Sequence, residues 1–294
     1  MILITAPTSN IGRQLVAELL DRDVALRVVT RDPARLDAAV RDRVEVVTGS
    51  HGDPAVIDRA AEGAQAAFWL TPVEPTAPTL DATFADFARP AAAAFARHGV
   101  GRVVGISALG RGTPLAAHAG MVTASLAMDD VFAGSGVPYR AVVNPSFMEN
   151  LLNNVGPIRE QGAFFLMFDP DLSAPTVATR DIAATSARLL LDDTWAGAGE
   201  VACLGPADLT PVEMAQVISD AIGREVRYQQ VPAAAFKERM MGFGMSEPIA
   251  QGLVDMFEAK NQGLDNAVAR TPESTTPTTF RQWCAEVLAP AVNA

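Results

Sequence analysis

Ile2–Thr5 is a short run of apolar and β-branched residues, and the spacing changes directly after it. Ile11, Leu15 and Leu19, with Val16 and Leu20 beside them, recur at the interval of a helix that buries one face. The change of period repeats along the first half. Leu26–Thr30 and residues 44–47, 66–70, 103–106 and 141–143 read as buried strands, with helical patterns between them, the clearest over 80–98. Strands alternating with helices imply right-handed crossovers. The expected fold class is therefore α/β, a doubly wound parallel sheet covered on both faces.

Past Asn144 the pattern changes. Residues 162–171 are rich in Phe, Met and Pro. Thr179–Leu191 and Pro211–Ile222 read as helices, the second with Pro at its start, where a missing N–H costs little. Short strands are expected at 201–204 and 226–231, and further helices at 233–241, Glu247–Asn261 and 277–288. This predicts a domain over 1–150, its sheet completed by part of 176–206. A small C-terminal α/β lobe over 151–294 is expected against the carboxyl edge of the sheet, where open α/β sheets bind ligands.

The formal net charge of -11 opposes contact with phosphate backbones and anionic membranes, so neither nucleic acid nor membrane is an expected partner. The two cysteines, Cys203 and Cys284, lie far apart, and the three histidines show no ligand spacing, so no metal or disulfide framework is predicted. No signal-peptide pattern opens the sequence, and a cytoplasmic protein is expected.

The first strand-turn-helix carries the most chemistry. A dinucleotide fold needs a tight turn there, so that the helix N-terminus faces a diphosphate. The usual short-chain reductase spacing, GxxGxxG, falls on Ala6, Ser9 and Gly12 in Ala6-Pro7-Thr8-Ser9-Asn10-Ile11-Gly12. Gly12 alone is glycine. Ala6 adds one methyl, whereas Ser9 places a Cβ where backbone should approach phosphate and so reads as the more serious departure. Its hydroxyl, with those of Thr8 and the amide of Asn10, could donate instead. After the second strand stands Arg31, in Thr30-Arg31-Asp32-Pro33. A guanidinium there suits a 2′-phosphate, hence NADP(H). The alternative is an exposed Arg ahead of a helix that Asp32-Pro33 starts.

The chain resembles the NmrA-like, atypical short-chain dehydrogenase/reductases, in the branch of triphenylmethane and quinone reductases. The resemblance rests on Thr5 to Gly12, Val29-Thr30-Arg31-Asp32-Pro33 and Ser107-Ala108-Leu109-Gly110. It also rests on Ser135-Gly136-Val137-Pro138-Tyr139 leading to Asn144-Pro145-Ser146-Phe147-Met148-Glu149-Asn150, and on Val177 to Ala183. It spans nearly the whole chain and implies a Rossmann-type sheet and a nicotinamide cofactor. Two features depart. The acidic residue expected to meet adenine after the third strand is Ser50, while Asp53 reads as an N-cap before Pro54. The YxxxK of ordinary members, in which Lys lowers the pKa of a general-acid Tyr, falls on Met121 to Ser125 and is lost. Tyr139, in a strand, reads as core.

Cofactor contacts are thus expected from Ala6, Thr8, Ser9, Asn10, Ile11, Gly12, Arg31 and Ser50, and from Leu70, Thr71 and Pro72 after the fourth strand. Substrate contacts are expected from Pro75, Met121, Asn144, Phe147, Met148, Phe165 and Met241, a set suited to a flat apolar ligand, though each also fits an ordinary core. Ser107 matches an active-site Ser or a strand-end turn. His118 could protonate a ligand or be an exposed loop residue. Asp129/Asp130 and Asp192/Asp193 read as solvated pairs.

A reductase without Tyr and Lys can still deliver hydride to an acceptor that is already electrophilic, such as a quinone, a cationic dye or a conjugated enone. The leading expectation is an NADPH-dependent reductase of this kind. The alternatives are a non-catalytic NADP(H)-sensing regulator with a protein partner, or a cofactor-free isomerase or cyclase. A homodimer is compatible with each.

Overall fold

The computed structural model describes residues 1–294. Its strands are β1 (Ile2–Thr5), β2 (Leu26–Thr30), β3 (Glu45–Thr48), β4 (Ala66–Trp69), β5 (Val103–Ala108), β6 (Tyr139–Asn144), β7 (Ser146–Phe147), β8 (Ala163–Leu166), β9 (Ala174–Val177), β10 (Ala198–Ala202), β11 (Asp208–Leu209) and β12 (Arg227–Gln230). The chain divides into two compact units. One holds residues 1–108, 124–143 and 182–201, the other 109–123, 144–181 and 202–294. The units interleave along the sequence, where the pattern alone suggests a boundary near 150 with the first sheet completed by part of 176–206.

The first unit is built on a seven-stranded sheet in the order β10-β6-β5-β4-β1-β2-β3. Ile2 pairs with Leu26 on one side and Ala66 on the other, both parallel, and β2 and β4 continue in parallel to β3 and β5. This is the Rossmann-type order, with its reversal between β1 and β4. Every residue of β1 is buried, because a central parallel strand is covered on both faces. The outer strand β3 is more exposed, and its Glu45 pairs with Arg27 of β2 at 2.9 Å, a charged dressing that suits a sheet edge. Trp69, Phe95, Phe132 and Tyr139 form a continuous aromatic core.

The helix expected over 80–98 is broken at Phe84, whose φ of -114° and ψ of -82° leave the helical region. The hydroxyl of Thr83 accepts from Glu74 N–H at 2.9 Å and reaches Pro72 O at 3.4 Å. The break thus ties the short first turn to the proline loop after β4, an override of local periodicity by a contact that spacing does not encode. Asp53 does cap the helix Pro54–Ala61, accepting from Ala55 N–H at 2.8 Å.

The second unit has a three-stranded sheet, β11-β9-β7, and a parallel pair, β12-β8. Its core gathers Met148, Ile158, Phe164, Ile218, Trp283 and Leu288. The last helix, expected over 277–288, runs as Phe280–Trp283, widens to a π turn over Cys284–Leu288 and resumes at Ala289–Asn293. Pro290 explains the widening: it has no N–H, and its ring crowds the carbonyl four residues back. No helix is long and apolar enough to cross a membrane.

Candidate functional site

The carboxyl ends of β1, β2, β3 and β4 open into a cleft of about 660 Å³, lined by Ala6 to Ser9, Val29 to Asp32, Gly49 to His51 and Leu70 with Pro72 to Pro75. Thr5 fastens its floor: its hydroxyl donates to Phe68 O and accepts from Leu70 N–H, both at 3.0 Å, joining the ends of β1 and β4 across the switch point.

The turn after β1 reverses the weight given to its two lost glycines. Ser9 has φ -72° and ψ 166°, ordinary extended backbone, and is the N-cap of the helix Asn10–Asp21. Its hydroxyl accepts from Gly12 N–H at 2.9 Å and donates to Ala6 O at 2.8 Å. A side chain here stabilises the turn, by about 1 kcal/mol for a typical N-cap. The strained residue is Ala6, with φ +48°, in the left-handed region that a Cβ disfavours by about 1 kcal/mol. Gly12 is irreplaceable on steric grounds: a Cβ there would lie 2.1 Å from Ala6 O and 2.9 Å from Ser9 Oγ. The N–H groups of Asn10 and Ile11, in the first helical turn, have no intrahelical acceptor. Ile11 and Gly12 themselves are buried beneath the cleft, and Asn10 is exposed outside its lining.

After β2, Arg31 lines the cleft, and so does Arg35, which sequence inspection overlooked. Both flank a short turn. Asp32 spends its carboxylate on capping it, accepting from Ala34 N–H at 3.0 Å, so the basic side chains at either end are left to the cleft. The signal was present as Arg31-Asp32-Pro33-Ala34-Arg35, two arginines on either side of the capping Asp32 and of Pro33.

After β3, Ser50 lines the cleft together with His51. The His51 ring stands edge-on to Trp69 and Phe87, each at 5.0 Å. Burial pushes its pKa down to about 4, against the opposing pull of its bond to Leu70 O, and Arg31 lowers it further. It is therefore neutral near pH 7. Nε2 is 3.1 Å from that carbonyl, so the proton resides there and Nδ1 is the acceptor. No spacing rule singled out this residue.

After β4, Leu70, Pro72 and Pro75 line the cleft, but Thr71 does not. Its Oγ1 accepts from Trp69 Nε1 at 2.9 Å and donates to Met128 Sδ at 3.0 Å, which holds the side chain against the core.

The positions expected to matter for catalysis are differently placed. Ser107, at the end of β5, donates to Asp129 Oδ2 at 2.5 Å and lies 3.2 Å from Ser125 Oγ. Tyr139 Oη donates to Asp129 Oδ1 at 2.6 Å. Gly105 makes this possible, since a Cβ there would stand 2.1 Å from Tyr139 Oη. Asp129 is 3% exposed, so the reading of it as a solvated residue is corrected: it is the hub of a buried polar cluster. Ser125, where ordinary short-chain enzymes carry Lys, belongs to that cluster. His118 is an exposed residue at the end of the turn Pro114–His118.

Among the expected substrate residues, Phe147 and Met148 line a small cavity in the second unit. Asn144 and Met121 are buried. Phe165 is half-buried, its N–H donating to Asn154 Oδ1 at 2.9 Å. Met241 is 43% exposed at a helix end, so the structure does not gather these residues into one pocket.

Sheets of this order carry dinucleotides at this edge, and the first unit falls in that structural class. The chain belongs to the NmrA-like family, whose sequence model matches residues 1–284. It is 31% identical over 290 residues to the (4-alkanoyl-5-oxo-2,5-dihydrofuran-3-yl)methyl phosphate reductase of Streptomyces griseus, covering 97% of each chain. It is 27% identical over 259 residues to the NAD(P)H azoreductase of Xenophilus azovorans, covering 87% of this chain and 86% of that one. Among solved structures, the triphenylmethane reductase of Citrobacter sp. complexed with NADP(H) matches in fold, with a TM-score of 0.78 and 16% identity over 99% of this chain and 100% of that one.

Proposed function

We propose that this protein is an NADPH-dependent reductase of electrophilic small molecules that works without a Tyr/Lys dyad. The observation that carries the reading is the cleft at the switch point, with a bare Gly12 beneath the first turn and two guanidinium groups after β2. The residues fit the cofactor. The left-handed Ala6 and the absent Cβ of Gly12 let the turn fold tightly, leaving the first helical N–H groups and their partial positive charge for a diphosphate. Arg31 and Arg35 supply the charge that a 2′-phosphate needs and a ribose hydroxyl does not.

When bound, the reduced nicotinamide supplies a hydride. The protein's part is to bind, orient and keep the reacting groups from water. Neither tyrosine is placed to act as an acid with a lysine. Tyr139 Oη is committed to Asp129, and Tyr228 Oη donates to Leu166 O at 3.0 Å and to Phe168 O, while burial raises its pKa well above the ordinary value. A substrate that needs its carbonyl protonated in step with hydride arrival is poorly served. One whose acceptor atom is already electron-poor is well served. The named relatives agree with this division: one acts on azo compounds, and the substrate named for the Streptomyces enzyme has a ring double bond conjugated with two carbonyls.

The test follows NADPH oxidation by the pure protein with a benzoquinone, a triarylmethane cation and an alkanoyl-substituted unsaturated lactone. Turnover with at least one is expected, with NADH the poorer donor. Binding of NADPH with no oxidation by any of the three classes would instead support the sensing regulator.

A further inference from the structure

The cleft of the first unit contains an acceptor that nothing in the protein uses. His51 lines it, and its ring is clamped. Nε2 donates to Leu70 O at 3.1 Å, and Trp69 and Phe87 stand edge-on with their ring centres 5.0 Å away. The single proton of the neutral ring resides on Nε2, so Nδ1 can only accept. Nδ1 makes no hydrogen bond in the protein, yet it is not sealed from solvent. His51 is 7% exposed and belongs to the cleft wall, so what remains open of the ring is open to the cleft. Phe87 lines the same stretch and adds an apolar aromatic surface. An acceptor this nearly buried is costly to leave without a donor, and native proteins usually give one a partner.

The arriving donor is defined by the rest of the wall, given the NADPH reading on which this inference rests. With the diphosphate at the first helical turn and a 2′-phosphate at Arg31 and Arg35, the base is left the wall at the end of β3, where Ser50, His51 and Phe87 stand. Burial is the main cause of the low pKa of His51, and Arg31 lowers it further, so the guanidinium stands near the ring. The neighbouring polar side chains do not choose between bases. Ser50 Oγ accepts from Gly52 N–H at 3.3 Å, and its hydroxyl can turn to donate or to accept. Asp32 and Glu74 are exposed, and their carboxylates serve Ala34 N–H and the hydroxyl of Thr76. By contrast, Nδ1 is fixed in direction, held among aromatic rings and able only to accept. We propose that His51 Nδ1 accepts a hydrogen bond from the exocyclic amino group of the nucleotide base, so that the cleft selects a 6-aminopurine over a 6-oxopurine. A 6-oxo group in the same place sets one acceptor against another and leaves both without a donor.

The experiment titrates the full chain and its His51→Phe variant, by calorimetry, with NADPH and with the reduced form of nicotinamide hypoxanthine dinucleotide phosphate. The two nucleotides share the diphosphate and the 2′-phosphate, so contacts to Arg31 and Arg35 cancel in the comparison. The unaltered protein is expected to bind NADPH at least about tenfold more tightly than the 6-oxo analogue. His51→Phe keeps a ring beside Trp69 and Phe87 but has no acceptor, and it is expected to bind the two within about threefold of each other. If that variant does not fold, ring-nitrogen resonances of the unaltered protein, made with isotope-labelled histidine, report the same bond. The chain has three histidines, so His98→Gln and His118→Gln variants assign the signals of His51. Its Nδ1 resonance is expected to move upfield with NADPH and much less with the analogue. Equal binding of the two nucleotides by the unaltered protein overturns the proposal and leaves the cofactor reading standing. So does a preference that survives His51→Phe, or an Nδ1 resonance that bound NADPH leaves in place. Binding of neither nucleotide removes both together.

Discussion

Gly12→Ala is expected to lose about 2–3 kcal/mol of stability and to abolish measurable NADPH binding, the size typical of overpacking where backbone must move. The added methyl would stand 2.1 Å from Ala6 O, and Ala6 is already in the left-handed region. Relief must come from the turn or from the helix Asn10–Asp21 moving away from β1, and either motion pulls the first helical N–H groups out of register with the cleft. The contrasting substitution is Ser9→Gly, which removes only a capping hydroxyl and is expected to cost a few tenths of a kcal/mol. Urea unfolding and NADPH calorimetry on both variants check the pair. A Gly12→Ala protein with unchanged midpoint and unchanged affinity would show that the turn is not the tight element described.

The second large effect is on cofactor choice. Arg31→Ala combined with Arg35→Ala is expected to weaken NADPH binding by roughly 100-fold, the scale of one or two charge-assisted hydrogen bonds. NADH binding should change by less than about threefold, because its ribose hydroxyl offers no charge for the guanidinium groups to meet. Both side chains line the cleft, and Asp32 between them is occupied as a cap. Calorimetric titration of each nucleotide reads the difference directly. An equal loss for both nucleotides would remove the 2′-phosphate role and leave the arginines as general attractors of negative charge.

Much of the fold was legible because its signals are local. The shift from strand to helix period marks β1 and the helix after it, and an Asp before a Pro marks the start of Pro54–Ala61. What failed to show depends on contacts between distant residues. The break at Phe84 is set by Thr83 reaching back to the loop after β4, and no helical pattern records that. Asp129 looks like half of a solvated acidic pair until Tyr139, ten residues on, and Ser107, from another strand, are seen to share its carboxylate.

The candidate site was legible as a location more than as a mechanism. The spacing of Ala6, Ser9 and Gly12 finds the turn, but it cannot tell which lost glycine matters. That depends on φ: Ser9 is extended and Ala6 is not. Arg31 was found from its place after β2, whereas Arg35 and His51 were missed, because one needs the short turn after β2 and the other needs Trp69 and Phe87 around it. The expected substrate residues shared only apolar character, which core and pocket have in common.

Calorimetric titration of the unaltered, demonstrably folded protein with NADPH bears on all of this at once. A saturable one-site heat, weaker with NADH, is the expected result. No heat with either nucleotide would mean that the cleft lined by Ala6, Ser9 and Arg31 does not hold a dinucleotide, and the reductase reading would fall with it.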